Sequence, residues 1–248
     1  KVKTLIKNKY TNHRVRVGFP VSVNTDKFYT LTPFDMYQWD IRKDDWSHTK
    51  ETDTLVNPNQ GAVLIKDDKN AFALYNKGLY EVSVLDREDK MVYLTLMRSF
   101  PSEVSENTSD MGKMLRTVEC EYAMDFDNQN TCANAVKRAN AFKTGLISVP
   151  VTLGKKGLEQ SQIISVSGNA VLSSLSHNLF KANGKEYSVI RIYDVEKGCK
   201  GTINLNVQIR ELYEVNLKNE ILNKVSFSGG SFEYELQPKT IKTYAFTF

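Results

Sequence analysis

The sequence predicts an all-β protein built of two consecutive β modules. Three observations carry that prediction. Apolar residues recur with a period of two rather than 3.6. Short runs rich in β-branched and aromatic residues are separated by Gly, Asn and Asp turn chemistry. From residue 158 onward the strands recur at a spacing of roughly ten residues, which is the rhythm of a sandwich.

Taken in chain order, the opening Lys1-Val2-Lys3-Thr4-Leu5-Ile6 leads into Arg14-Val15-Arg16-Val17-Gly18-Phe19. Strict alternation there puts Val15, Val17 and Phe19 on one face of a strand and both arginines on the other. Further strands are predicted over 62–65, 71–75, 79–85 and 91–97. Asp67-Asp68-Lys69-Asn70 and Asn76-Lys77-Gly78 read as hairpin connections, and residues 86–90 as a polar turn. Residues 30–60 hold Trp39, Trp46, Pro33 and Pro58 with many charges and little periodicity, and read as a long loop.

Residues 128–142 predict the one helix of the chain, and its expected role is that of a short connector. Asn130 or Thr131 is placed to cap it, apolar residues recur at helical spacing, and Gly145 lies just beyond. Pro150, Gly154 and Gly157 then mark a boundary, so the modules are expected at 1–157 and 158–248. In the second, strands are predicted over 162–167, 171–175, 187–193, 202–210, 212–217 and 240–248. Asn183-Gly184, Lys197-Gly198 and Ser228-Gly229-Gly230 are the turns between them.

Composition narrows the function classes. Hydrophobic content of 41% and charged content of 25% are ordinary for a globular chain of 248 residues. A net charge of +4, from 33 basic and 29 acidic residues spread along the chain, makes no nucleic-acid footprint. No apolar run reaches the ~18 residues that span a bilayer, so neither nucleic acid nor membrane is an expected partner. Cys120, Cys132 and Cys199 form neither a disulfide framework nor a zinc-ligand spacing, and free thiols with a cytosolic origin are expected.

Little in the chain can carry a reaction. His13, His48 and His177 show no metal-binding pairing, and no nucleophile elbow or phosphate loop is present. Adjacent acids such as Asp44-Asp45 and Asp67-Asp68 point to opposite faces if extended, so adjacency does not build a glycosidase carboxylate pair. What stands out is arginine on strands: Arg14 and Arg16 within one, and Arg98 ending the apolar run 92–97. A guanidinium held at a strand end is arranged to hydrogen-bond sugar hydroxyls or a carboxylate. A structural ion pair is the competing reading, and for Arg14 and Arg16 it is preferred.

Those residues carry a family resemblance. Asn12-His13-Arg14-Val15-Arg16-Val17-Gly18-Phe19-Pro20 resembles the "dHRlRvlFP" signature in the C-terminal region of glycoside hydrolase family 38, the α-mannosidases. Leu94-Thr95-Leu96-Met97-Arg98-Ser99-Phe100 is similar to that family's "lsLLRS" strand, and Ser109-Asp110-Met111-Gly112 to the "aDxG" segment after it. Residues 71–82 sit where the family has a hairpin around "kyGyev". Residues 211–217 resemble its "a.e.NllE" segment, and residues 236–244 its closing "LkPfEIkTfrl". The six matches fall in order across essentially the whole chain. After Gly112 the sequence departs from the pattern: Lys113 to Met124 contains no counterpart of the family's histidine segment.

The resemblance implies a galactose-mutarotase-like β supersandwich, lacking its first strands, and then a small C-terminal β-sandwich. It implies that the chain is the non-catalytic C-terminal scaffold of a retaining, metal-dependent α-mannosidase. Zinc or another divalent metal and the nucleophile would belong to an N-terminal catalytic domain, the chain's main partner, with self-association also possible. Arg98 would bind the mannoside substrate, and Asp110 would line the same cleft or pair with a nearby arginine. The source would be bacterial and the location cytoplasmic. The alternative is a stand-alone carbohydrate-binding or structural β module, with Tyr37, Trp39 and Trp46 as an aromatic sugar platform.

Overall fold

The computed structural model describes residues 1–43, 56–86, 90–100, 110–128, 130–148, 150, 162–182 and 184–248; of residues 42, 43, 110 and 111 it describes the backbone alone. All-β architecture is what it shows, with one α-helix among the described residues. Two compact units divide the chain, Lys1–Gly145 and Leu146–Phe248.

Unit 1 opens with β1 (Val2–Lys7), β2 (His13–Val21), β3 (Lys27–Thr32) and β4 (Asp35–Asp40). Two-residue strands follow, β5 (Arg42–Lys43) and β6 (Asn57–Pro58). Next come β7 (Ala62–Lys66), β8 (Ala71–Asn76), β9 (Glu81–Asp86), β10 (Lys90–Ser99) and β11 (Thr117–Phe126), and then α1 (Cys132–Thr144). One sheet has the order β1-β11-β8-β7-β3-β4; the other has the order β2-β10-β9-β5, with β6 also on β9. A core of Phe28, Val63, Ile65, Phe72, Leu74, Val82, Val84, Val92, Leu94, Cys120 and Tyr122 draws on both sheets, with Val17 and Phe19 packed against it. The apolar phase of β2 therefore faces inward, as its alternation requires.

Three expectations are corrected in this unit. Asn76-Lys77-Gly78 does not close a hairpin, because β8 and β9 lie in different sheets and the turn crosses between them. Within 30–60, residues Lys27–Thr32 and Asp35–Asp40 pair as an antiparallel hairpin, with Thr32 opposite Asp35 and Phe34 at φ 59 in the turn. Its phases are hard to read because Thr30 is a core-facing polar residue: it is fully buried and accepts the Trp39 indole N–H at 2.9 Å. Residues 44–55, with Trp46, lie outside the described residues. The helix is also more than a connector. Thr131 caps it, accepting from the Asn134 N–H at 3.1 Å, and Gly145 (φ 66) closes it. It packs on β7 and β8 and buries Cys132, Ala133, Ala135, Val136 and Ala139. Small residues at that interface let the backbone come close to the sheet. Strands 7 and 8 are thus covered on both faces, which is why they read as continuous apolar runs.

Unit 2 holds β12 (Ile164–Val166), β13 (Val171–Ala182), β14 (Lys185–Tyr193), β15 (Cys199–Leu205), β16 (Glu211–Val215), β17 (Ile221–Lys224), β18 (Ser231–Leu236) and β19 (Ile241–Thr247). They form sheets of order β12-β15-β18 and β13-β14-β19-β16-β17. The core between them includes Ile190, Ile192, Ile203, Leu212, Phe232, Tyr234, Leu236, Tyr244 and Phe246. The predicted turns are where they were expected, with Gly184 at φ 74 and Gly198 at φ 86. Ser228 and Ser231 exchange both backbone bonds, at 2.8 and 2.9 Å, across Gly229-Gly230.

Asp194 ties this unit together. It is buried, and its Oδ2 accepts from the backbone N–H groups of Glu196, Gly198 and Lys239 at 2.9, 3.0 and 3.1 Å. One carboxylate thus joins the β14–β15 turn to the β18–β19 turn.

Candidate functional site

The outward face of β2, β10 and β9 gathers the strand arginines. In β10 the inward residues Val92 and Leu94 predict Leu96 and then residue 98 on the core side. Register breaks that phase. Thr95 pairs with Arg16, but Met97 pairs with Val15 and Arg98 with Arg14, so one extra residue sits between Thr95 and Met97. Leu96 and Met97 are both buried. This β-bulge turns Arg98 to the same face as Arg14, Arg16 and Thr95, the re-aiming that bulges perform.

Glu81, the first residue of β9, lies at the centre of that face. Arg14 donates to its Oε1 at 3.0 Å and Arg98 to its Oε2 at 3.1 Å. The Thr95 hydroxyl donates to Oε1 at 2.5 Å. The Glu81 side chain is 19% exposed, those of Arg14 and Arg98 30% and 48%. Phe100 supports the Arg98 guanidinium from below, with its ring centroid 4.7 Å away. One carboxylate against two guanidinium groups leaves the cluster with a net positive charge. A guanidinium carries five N–H donors, and among the described residues Arg98 hydrogen-bonds only to Glu81.

The turn from β8 to β9, which crosses from one sheet to the other and presents Glu81, is held by a buried amide pair. Asn76 donates to Asn59 Oδ1 at 2.7 Å, Asn59 donates to the Leu79 carbonyl at 3.0 Å, and Asn76 Oδ1 accepts from the Leu79 N–H at 2.9 Å. The Asn59 N–H reaches the Tyr80 carbonyl at 2.9 Å, one residue before Glu81. Both asparagines are buried, so this network is enclosed and satisfied, which makes it rigid. Farther along the face, Arg16 lies 4.6 Å from the centroid of the Tyr93 ring and donates to Ser83 Oγ at 3.3 Å. A Cβ on Gly18 would come within 2.8 Å of Tyr93 Cε1, so glycine there leaves room for the ring.

Of the residues singled out from sequence, Arg14 and Arg98 are brought together by one carboxylate. Asp110 begins a 3-10 turn (Asp110–Lys113) stitched to the end of β10: the Phe100 N–H donates to the Gly112 carbonyl at 3.0 Å and Ser99 Oγ to the Lys113 carbonyl at 2.6 Å. The Asp110 side chain lies outside what is described. Glu81 is the residue that sequence reasoning missed. Its signal is a carboxylate opening an apolar strand, on the phase opposite Val82 and Val84.

Of the three aromatics of the expected platform, Trp46 lies outside the described residues. Trp39 packs against the core and spends its N–H on Thr30, while Tyr37 leans on it at 4.5 Å between ring centroids. No three His, Cys, Asp or Glu among the described residues converge to hold a metal ion. The described helix is not long and apolar enough to cross a membrane.

Two family models match the chain: the glycosyl hydrolases family 38 C-terminal domain over residues 1–103, and the glycosyl hydrolases family 38 C-terminal beta sandwich domain over residues 171–244. Arg14, Glu81 and Arg98 all fall within the first. No curated protein matches. Among solved structures the chain is similar to an alpha-mannosidase from Enterococcus faecalis V583, at 17% identity and TM-score 0.77, over 99% of this chain and 27% of that one. It is also similar to a protein in glycosyl hydrolase family 38 from Enterococcus faecalis, at 15% identity and TM-score 0.75, over 99% of this chain and 28% of that one. The chain thus spans little more than a quarter of the length of the structures it matches.

Proposed function

The chain belongs to the C-terminal region of glycosyl hydrolase family 38, and from that premise we propose that it is the scaffold portion of a retaining, metal-dependent α-mannosidase. In this reading the divalent metal and the nucleophile reside in an N-terminal catalytic domain, and the chain's part is to pack against that domain and complete its sugar site. The enzyme is assigned to the cytoplasm of a bacterium, in keeping with three cysteines that form no disulfide.

The observation that carries the reading is the bulge-directed Arg98. It is half exposed at a strand end, held at one edge by Glu81 and on one face by Phe100, with donors that no other described residue takes up. Such a group binds a sugar hydroxyl through charge-assisted hydrogen bonds and moves no proton. Its contribution is positioning, on the order of 1.5–3 kcal/mol. Asp110, at the turn stitched beside it, is assigned to the same cleft.

In the full-length protein, Arg98→Ala should lower kcat/KM for an α-mannoside about 10- to 100-fold while leaving the thermal midpoint within a degree or two. Unchanged kinetics would remove Arg98 from the site. The 248-residue chain alone should neither hydrolyse α-mannosides nor retain stoichiometric zinc, and turnover by the purified chain would overturn its scaffold role.

A further inference from the structure

We propose that Glu81 is the positioning residue for Arg98. The inference rests on the reading of Arg98 as a sugar contact and adds the group that aims it.

Three features of the geometry point there. Glu81 Oε1 is taken by Arg14 and Thr95, so the carboxylate is pinned and its second oxygen is directed at Arg98. Arg14 and Arg98 are cross-strand Cα partners, and like charges placed directly opposite repel. A carboxylate between them is what lets both guanidinium groups stand on one face. Finally, Glu81 is the least exposed of the three side chains and follows directly on an inter-sheet turn fixed by the buried Asn59–Asn76 pair. The rigidity of that network passes through Glu81 to a side chain that would otherwise sample many rotamers.

An arginine already held in its binding direction loses less conformational freedom when a ligand arrives. Removing the hold should therefore cost on the order of tenfold in kcat/KM, without removing the group that touches substrate.

The test is a double-mutant cycle in the full-length protein together with arginine side-chain spectra. Glu81→Gln preserves shape and removes the charge. It should lower kcat/KM for an α-mannoside about tenfold, whereas in an Arg98→Ala background the same change should have no further effect. A purely structural role would lower both backgrounds equally, and that result overturns the proposal. Glu81→Asp keeps the charge but is too short to span both arginines; it should give an intermediate loss with an unchanged thermal midpoint, which covers the case that Glu81→Gln folds poorly. In nitrogen-15-labelled arginine spectra of the 248-residue chain, the Arg98 Nε–Hε should be ordered in the wild type and mobile in Glu81→Gln. If it stays ordered, Glu81 does not aim it. Should Arg98→Ala leave the kinetics unchanged, the sugar-contact reading falls by itself, and the spectra still decide whether Glu81 holds Arg98.

Discussion

Each unit is organised around a carboxylate that gathers three donors, and the two carboxylates have opposite consequences. Asp194 in unit 2 takes three backbone N–H groups, each of which has a single hydrogen to give. Its partners are spent, the site is closed, and what results is a clamp between two turns. Glu81 in unit 1 takes a hydroxyl and two guanidinium groups. A guanidinium has donors pointing in several directions, so satisfying the carboxylate leaves Arg98 able to satisfy something else. A carboxylate that gathers three donors therefore says little about function by itself; the residual capacity of its donors says more.

The largest effect that would sharpen this contrast belongs to Asp194. Asp194→Ala deletes three backbone hydrogen bonds at once, and at about 0.5–1.5 kcal/mol for each bond the loss should be about 1.5–4.5 kcal/mol. Hydrogen exchange during urea unfolding would localise it, with unit 2 opening early and unit 1 unaffected. A loss under about 0.5 kcal/mol, the size of an ordinary surface substitution, would break the comparison.

A second difference between the units is the number of phenols that burial raises among the described residues: Tyr75 in unit 1, against three in unit 2. Burial pushes the Tyr187 and Tyr234 phenols up to about 12, from an ordinary value of 10.0, and Tyr244 is raised for the same reason. Tyr187 also donates to Glu211 at 2.8 Å, and Tyr234 to the Ser167 carbonyl at 2.5 Å. Because the folded values are raised, the stability these phenols contribute is complete below pH 10.0 and is lost as pH rises toward 12. Unit 2 should thus lose stability across that window. Tyrosinate absorbance would check it, and three phenols titrating normally near 10.0 in the folded protein would refute it.

The smallest effect expected is at Thr95. Thr95→Val keeps the strand and the shape but deletes one donor to Glu81, lowering stability by about 1 kcal/mol or less. Arg98 should become detectably more mobile while remaining on the same face. An unchanged Arg98 signal would mean that Arg14 alone pins the carboxylate.

Much of the fold was legible in the chain because it depends on neighbours in sequence. The alternation of residues 14–19 determined which face of β2 is buried, and that holds wherever the strand pairs. Thr131 and Gly145 determined the ends of α1 through their own backbone and side-chain bonds. The hairpin β3–β4 was missed because Thr30, a polar residue, occupies a core-facing position that the Trp39 indole satisfies. Strand β11 was missed because Glu119 and Glu121 make it look like surface until Lys1, Lys3 and Lys77 arrive from elsewhere in the chain to pair them.

Sequence alone thus determined the all-β class, the turns, the helix ends and the family, since period, turn chemistry and motif order are local properties. Tertiary structure decided the site. Arg14 and Glu81 are 67 residues apart, and nothing in either neighbourhood names the other. The outward aim of Arg98 depends on a bulge, and a bulge is a property of two paired strands: one extra residue against β2 reverses the phase of all that follows it in β10.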